Sequence, residues 1–387
     1  MGVDRPVTPR RQVIGGGRVV TPEKVLDPGW VVVHDGVIET VTAVPPQAGP
    51  EPVTDLSGGW LVPGYVDLHC HGGGGASYTD RDTEQLATAV AAHRRHGTTT
   101  TLASLVSGPV PELLAQLSRL ADLVDDGLLA GIHLEGPFLS ADRCGAHDAR
   151  ALRPPDRATV DRLLAAGRGS VRMVTLAPEL EGGTDAIRQL TDAGVIAAIG
   201  HTDADETQIR AAVDAGATVA THLFNQMRPL HHREPGPIGV LLDDERVAVE
   251  LICDLVLVHP TMVRIAAGYA GPERTVLVTD AMAAAAFGDG SYLLGSLPVT
   301  VHQGRATVDG SGALAASTLT MDAAVRNFVR DCRMTVPAAV AAASERPARL
   351  LGQPGGIGAI RPGAVSDLVV LDEDLRPRRV MRQGAWI

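Results

Sequence analysis

With 387 residues, 45% of them apolar and 20% charged, the chain has enough hydrophobic material for a large core. It is long enough for a barrel of about 250 residues beside a smaller module. A net charge of -11 and an aromatic content of 3% provide neither a basic field for phosphate backbones nor stacking platforms, which excludes nucleic acid as a partner. No apolar run is long enough to cross a bilayer and the first residues carry no signal-peptide stretch, so the expected location is the cytoplasm, away from membranes.

In chain order, residues 13 to 62 offer short β-type runs broken by Gly and Pro, among them GWVVVHDGVIETVTAV. The last stretch, from Gly358, repeats that texture in SDLVVLD and RRVMRQGAWI. These two ends (1–62 and 358–387) are expected to form one small β-sandwich domain. Between them, in 63–357, eight short apolar runs alternate with stretches of helical period: LVPGYVDLH, TTTTLASLV, LLAGIHLE, VRMVTLAP, GVIAAIGH, ATVATHLF, RVAVELICD and TVLVTD. That rhythm predicts an α/β fold, a (β/α)8 TIM-like barrel. An excursion (GSYLLGSLPVTVHQGRATVDG) follows the eighth run, then two helices around Met321 to Cys332 and Pro337 to Leu351. The four cysteines, Cys70, Cys144, Cys253 and Cys332, form no C-x-x-C pair and are expected to be reduced.

Chemistry concentrates where the apolar runs end. Four of them lead into Glu135, His201, His222 and Asp280, and a fifth ends in His69-Cys70-His71. Residues at the C-terminal ends of barrel strands point into the mouth, so these six converge although they are scattered along the chain. The H-x-H spacing places His69 and His71 on one face of a strand. Each feature is weak alone; the set together predicts a catalytic metal site of imidazole and carboxylate ligands, suited to zinc or iron. Lys24 is the only lysine, so no barrel strand carries a lysine that could be carboxylated to bridge two metals. The central ligand must be a carboxylate, and Glu135 is the candidate.

The motifs PGYVDLHCHG (63–72), GTTTTLASLV (97–106), HLEGPFLS (133–140), RCGAHD (143–148), GHTDA (200–204), THLFNQM (221–227), HHREPG (231–236), VTDAMAAA (278–285) and LAASTLTM (314–321) extend over essentially the whole chain. In them the chain resembles the N-acetylglucosamine-6-phosphate deacetylase family of the amidohydrolase superfamily. The resemblance implies metal-dependent release of acetate from N-acetylglucosamine 6-phosphate. It places the shared metal site on Glu135, His201 and His222, permits a second metal at His69 and His71 beside Asp280, and makes Asp280 the general base and acid. The metal would be zinc, or iron, with one or two ions per subunit. It further implies that His147 contacts the substrate, and that Asn225, Gln226 and Arg233 bind the sugar phosphate, Arg233 across a homodimer interface. Cys144 is read as a bystander thiol.

One segment departs from the family pattern. A D-G-x-H sequence is expected after the seventh run, whereas this chain has Leu255 in place of the Gly and Leu257 in place of the His. His259 is followed by Pro260 and is expected to begin a helix instead. Losing one donor to a charged phosphate costs on the order of 1.5–3 kcal/mol of binding. A galacto epimer or an unphosphorylated acetamido sugar is therefore the alternative substrate.

Overall fold

The computed structural model describes residues 11–47, 49–353 and 356–387, so the first ten residues of the predicted N-terminal segment lie outside the described ones. All eight apolar runs contain strands. In chain order they are β1 (Tyr65–Asp67), β2 (Thr98–Leu105), β3 (Gly131–Glu135), β4 (Val171–Leu176), β5 (Ile196–Ile199), β6 (Val219–Ala220), β7 (Ala248–Ile252) and β8 (Thr275–Val278). Each pairs in parallel with the next, giving one sheet in simple sequential order from β1 to β8. These strands are buried on both faces because helices cover the outside.

Polar residues start the outer helices where the sequence places them. Asp82, Asp156 and Asp205 each accept an N–H of the first turn, and Gln208 closes a capping box with Asp205. Each such cap is worth about 1 kcal/mol. The two helices expected near the C-terminus are three, Met321–Arg330, Val336–Ala343 and Glu345–Leu350, the break falling at Ser344. His259 is the N-cap of the helix Pro260–Ala270, its ring nitrogen accepting the N–H of Thr261, so it does not reach the barrel mouth.

The sheet meets itself at a seam. β8 and β1 lie at its two ends, and Asp67 ties them: its carboxylate accepts the Thr279 hydroxyl at 2.6 Å, the Thr279 N–H at 3.2 Å and the His69 N–H at 3.3 Å. A parallel bridge between Cys70 and Ala281 continues the contact beyond the strands.

The chain ends form a second, mixed sheet of eight strands, in which Leu368–Leu371 runs antiparallel to Trp60–Pro63 and so joins the C-terminal segment to the N-terminal one. Ile14, Val31, Leu61, Leu368 and Met381 fill its core. The excursion after β8 is a three-stranded antiparallel flap, Gly290–Leu294, Leu297–His302 and Arg305–Val308. Its Leu294, Val299 and Val308 pack on Val106, Ala146 and Met282 at the barrel mouth. Among the described residues no helix is long and apolar enough to cross a membrane.

Candidate active site

The six predicted donors meet at the mouth. His201, His222 and Asp280 stand just past the ends of their strands with φ of 48°, 29° and 48°. This left-handed backbone costs a non-glycine residue about 1–3 kcal/mol and persists only where the surroundings over-determine it. Here it turns the side chains inward. His69 and His71 leave β1 two residues apart, and Gly72–Gly73 then pairs with Ala76–Ser77 across a turn at Gly74 and Gly75, both at positive φ. That turn needs φ above zero at both central positions, which is the use of the glycine run.

Glu135 is the centre of the arrangement. Its Oε1 lies 2.9 Å from His222 Nε2 and 3.0 Å from His201 Nε2; its Oε2 lies 3.2 Å from His71 Nε2 and 3.5 Å from His69 Nε2. Asp280 Oδ1 stands 3.2 Å from His71 Nε2 and 3.5 Å from His69 Nε2. The facing ring nitrogens are equally close, at 3.1 Å for His69 with His71 and 3.1 Å for His201 with His222. All six residues are buried.

The outer ring nitrogens decide what the inner ones can do. His201 Nδ1 is 2.8 Å from the carbonyl of Arg143, and His71 Nδ1 is 3.2 Å from that of Ser104. A carbonyl only accepts, so each Nδ1 carries the proton and each Nε2 presents a lone pair to the centre. His147 is set the opposite way. Its Nδ1 accepts the Ser107 N–H at 3.1 Å, which leaves the proton on Nε2, 3.3 Å from Glu135 Oε2. Although Glu135, His147 and His201 are close enough to be a donor triplet, His147 in this tautomer is a hydrogen-bond donor into the mouth.

Carboxylates and imidazoles here hold one another's charge states. Burial pushes His201 down to about 4, leaving that ring neutral near pH 7. Burial also disfavours a charged His69, yet Glu135 and Asp280 beside it outweigh this and hold its pKa well above the ordinary value. Glu135 is held well below the usual carboxylate range despite its burial, chiefly by His69 and His147. Two buried carboxylates and four imidazoles with at least two inward lone pairs are a donor set that fits a divalent ion such as zinc or iron. His69, His71 and Asp280 are one triplet close enough for the purpose, and Glu135 Oε1 with Nε2 of His201 and of His222, 2.9 to 3.1 Å from one another, is a second.

The donors other than His69 line a cavity of about 340 Å³. Its polar wall includes His147, Asn225 and Gln226, and its apolar wall Val106, Phe224, Leu257, Leu294, Leu314 and Ala316. The flap residues had no signal in the sequence, because only the folded excursion brings them over the mouth. Leu257 does face this cavity. Asp254 Oδ1 accepts the N–H groups of Val256 and Leu257, both at 2.9 Å, and shapes that loop. Leu255, standing where a Gly is expected, keeps φ at 67°, at a cost of about 1–2 kcal/mol for a side chain in that conformation.

Arg233 is not brought to the cavity. It is exposed, its Nη1 3.0 Å from His232 Nε2, and among the described residues it pairs with no carboxylate. Sequence reasoning also missed a polar layer one turn of the strand below the donors. There the Ser104 hydroxyl is 2.9 Å from His133 Nδ1, His133 Nε2 is 2.8 Å from the Thr175 hydroxyl, and Thr175 is 2.9 Å from Thr221. The alternation of β3 gave a clue, since His133 shares the inward face with Glu135.

Comparisons with known proteins agree with this geometry. The amidohydrolase family model matches residues 60–387. An N-acetyl-D-glucosamine-6-phosphate deacetylase from Mycobacterium smegmatis, solved in complex with N-acetyl-D-glucosamine-6-phosphate, has a TM-score of 0.94 and 46% identity over 98% of this chain and 99% of that one. The N-acetylgalactosamine-6-phosphate deacetylase of Escherichia coli O157:H7 is 38% identical over 377 residues, 96% of this chain and 98% of its own length. The N-acetylglucosamine-6-phosphate deacetylase of Bacillus subtilis (strain 168) is 35% identical over 366 residues, 92% of each chain. With its parallel barrel, its histidine and carboxylate mouth and relatives aligned along nearly their whole length, this chain belongs to the N-acetylglucosamine-6-phosphate deacetylase family of the amidohydrolases.

Proposed function

We infer that the chain is a metal-dependent amidohydrolase that hydrolyses the acetamide of N-acetylglucosamine 6-phosphate, releasing acetate and glucosamine 6-phosphate. The observation that carries this reading is the position of Glu135, whose two carboxylate oxygens face the His201–His222 pair and the His69–His71 pair, with Asp280 beside the second pair. Glu135, His201 and His222 would hold one ion, and His69, His71 and Asp280 a second. Zinc is the first choice and iron the alternative. A divalent ion bound there supplies Lewis acidity, polarising the acyl oxygen and acidifying a water.

The chain's own residues supply the rest. Asp280, ionised because the adjacent His69 and His71 outweigh its burial, takes a proton from the attacking water and returns it to the leaving amine as the tetrahedral intermediate collapses. His147 donates its Nε2–H to the substrate, an orientation supported by the Ser107 N–H at its other nitrogen. Asn225 and Gln226 line the side of the cavity where the sugar phosphate would sit. Arg233, exposed and free of a carboxylate partner among the described residues, would serve the neighbouring site of a homodimer. A cytoplasmic location goes with a phosphorylated substrate.

The test is acetate release from a panel of acetamido sugars with and without 6-phosphate, including the galacto epimer on which the Escherichia coli relative acts by name. We expect the phosphorylated gluco sugar to be preferred by at least tenfold in kcat/KM. Equal use of unphosphorylated sugar would overturn the substrate, and no release from any sugar would overturn the enzyme.

A further inference from the structure

We propose that Glu250 is a positioning residue of the metal centre, its carboxylate receiving the Nδ1–H of His69 and so holding that ring in the tautomer whose Nε2 faces Glu135 and Asp280. The proposal rests on reading the six donors as a metal centre.

Glu250 lies on β7, 0% exposed, with its side chain behind the donors. Its Oε2 stands 3.5 Å from His69 Nδ1 and accepts the backbone N–H of His222 at 3.3 Å. It therefore touches one residue of each pair facing Glu135. The rings of His69 and His222 stack with centroids 5.4 Å apart and 27° between their planes. Among the described residues, His69 Nδ1, His222 Nδ1 and Glu250 Oε1 have no hydrogen-bond partner. His71 and His201, by contrast, have their outer nitrogens on carbonyls. A histidine can offer Nε2 to a cation only if its proton stays on Nδ1, and a buried N–H needs an acceptor. For His69 the Glu250 carboxylate, 3.5 Å away and short of hydrogen-bonding geometry as it stands, is the acceptor that an approach of a few tenths of an ångström supplies, in the arrangement by which carboxylates behind metal-binding histidines fix the ring and raise its basicity.

The bland alternative is that Glu250 merely satisfies the His222 N–H as part of the barrel interior. Glu250→Gln separates the two, because the amide oxygen in place of Oε2 still accepts the His222 N–H but carries no charge to strengthen the His69 ring as a ligand. Zinc-loaded wild-type and variant proteins are dialysed against graded chelator, and retained metal is measured by atomic emission alongside circular dichroism for folding. We expect the variant to lose zinc at chelator concentrations at least tenfold lower, within the ten- to hundredfold range typical of such partners. A folded Glu250→Gln protein retaining zinc within threefold of wild type would overturn the role of Glu250 alone. Wild-type protein that holds no zinc, iron or other divalent ion would overturn the metal reading, and this one with it.

Should the variant fail to fold, the wild type still decides. In histidine-labelled, zinc-loaded protein, long-range proton–nitrogen spectra are expected to show His69 protonated at Nδ1, with that proton protected from exchange. A proton on Nε2, or rapid exchange at Nδ1, would overturn the proposal.

Discussion

Asp280 Oδ1 lies 3.2 Å from Nε2 of His71, although the two residues leave strands at opposite ends of the barrel sheet. The contact puts a carboxylate at the edge of the histidine cluster. Asp280→Asn keeps the shape and one oxygen for coordination but removes the base. Turnover is expected to fall by about 10²–10⁴-fold, the range for a positioned acid and base. Metal content should stay near that of wild type; both quantities come from one preparation, by acetate assay and atomic emission. Unchanged turnover would refute the assignment.

Leu257 lines the same cavity as Asn225 and Gln226 and gives it apolar surface. Leu257→His is expected to lower KM for the 6-phosphorylated sugar by about ten- to a hundredfold, the worth of one hydrogen bond to a charged group. KM for the unphosphorylated sugar should move little. Equal changes for both would place Leu257 away from the phosphate.

Exposure of Arg233 leads to a complementation test. In Arg233→Ala, KM for phosphorylated substrate should rise at least tenfold while the unphosphorylated sugar is unaffected. If Arg233 serves the neighbouring site of a homodimer as proposed, Asp280→Asn and Arg233→Ala proteins, mixed and allowed to exchange subunits, should recover low-KM activity, since one site of the mixed dimer would combine an intact Asp280 with an intact arginine from the other subunit. Recovery failing in a mixture shown to exchange would put the arginine in its own subunit's site or in none.

Asp322 offers a pH test away from the active site. Burial opposes its charge, but His96 at 3.0 Å, Arg326 at 2.8 Å and Thr320 hold its pKa at about 2 against an ordinary 3.8. The folded value is the lower one, so this carboxylate stabilises the protein above about pH 4 and the contribution disappears as pH falls toward about 2. It is worth about 2 kcal/mol at neutral pH. Asp322→Asn should lower stability in denaturant melts at pH 7 by that order and make the melts less steeply pH-dependent between about pH 4 and pH 2.

Much of this was legible in the sequence because strand ends and barrel mouths follow a rule. His201, His222, Glu135 and Asp280 each close an apolar run, and the structure sets all four around one point. Boundaries such as His259 before Pro260 were readable for the same local reason, since capping involves neighbours in the chain. What stayed hidden depends on distant segments. Ser107 fixes the proton of His147 from forty residues away. Leu294 and Leu314 come to the cavity only through packing of the flap. Glu250 sits in a run that reads as plain buried strand, and nothing in RVAVELICD tells that its glutamate lies behind His69.

The Asp67 seam has a consequence for how the enzyme comes into being. His69 and His71 stand on one side of that join and Asp280 on the other, more than two hundred residues apart in the chain, and Thr279 locks to Asp67 right beside them. Chain emerging from the ribosome has the first two donors early and lacks the third until β8 docks. These three side chains thus come together only once the cylinder has shut, and an ion bound by them would rivet from the side-chain side a seam that the Asp280 N–H to His69 carbonyl and His71 N–H to Ala281 carbonyl bonds already cross.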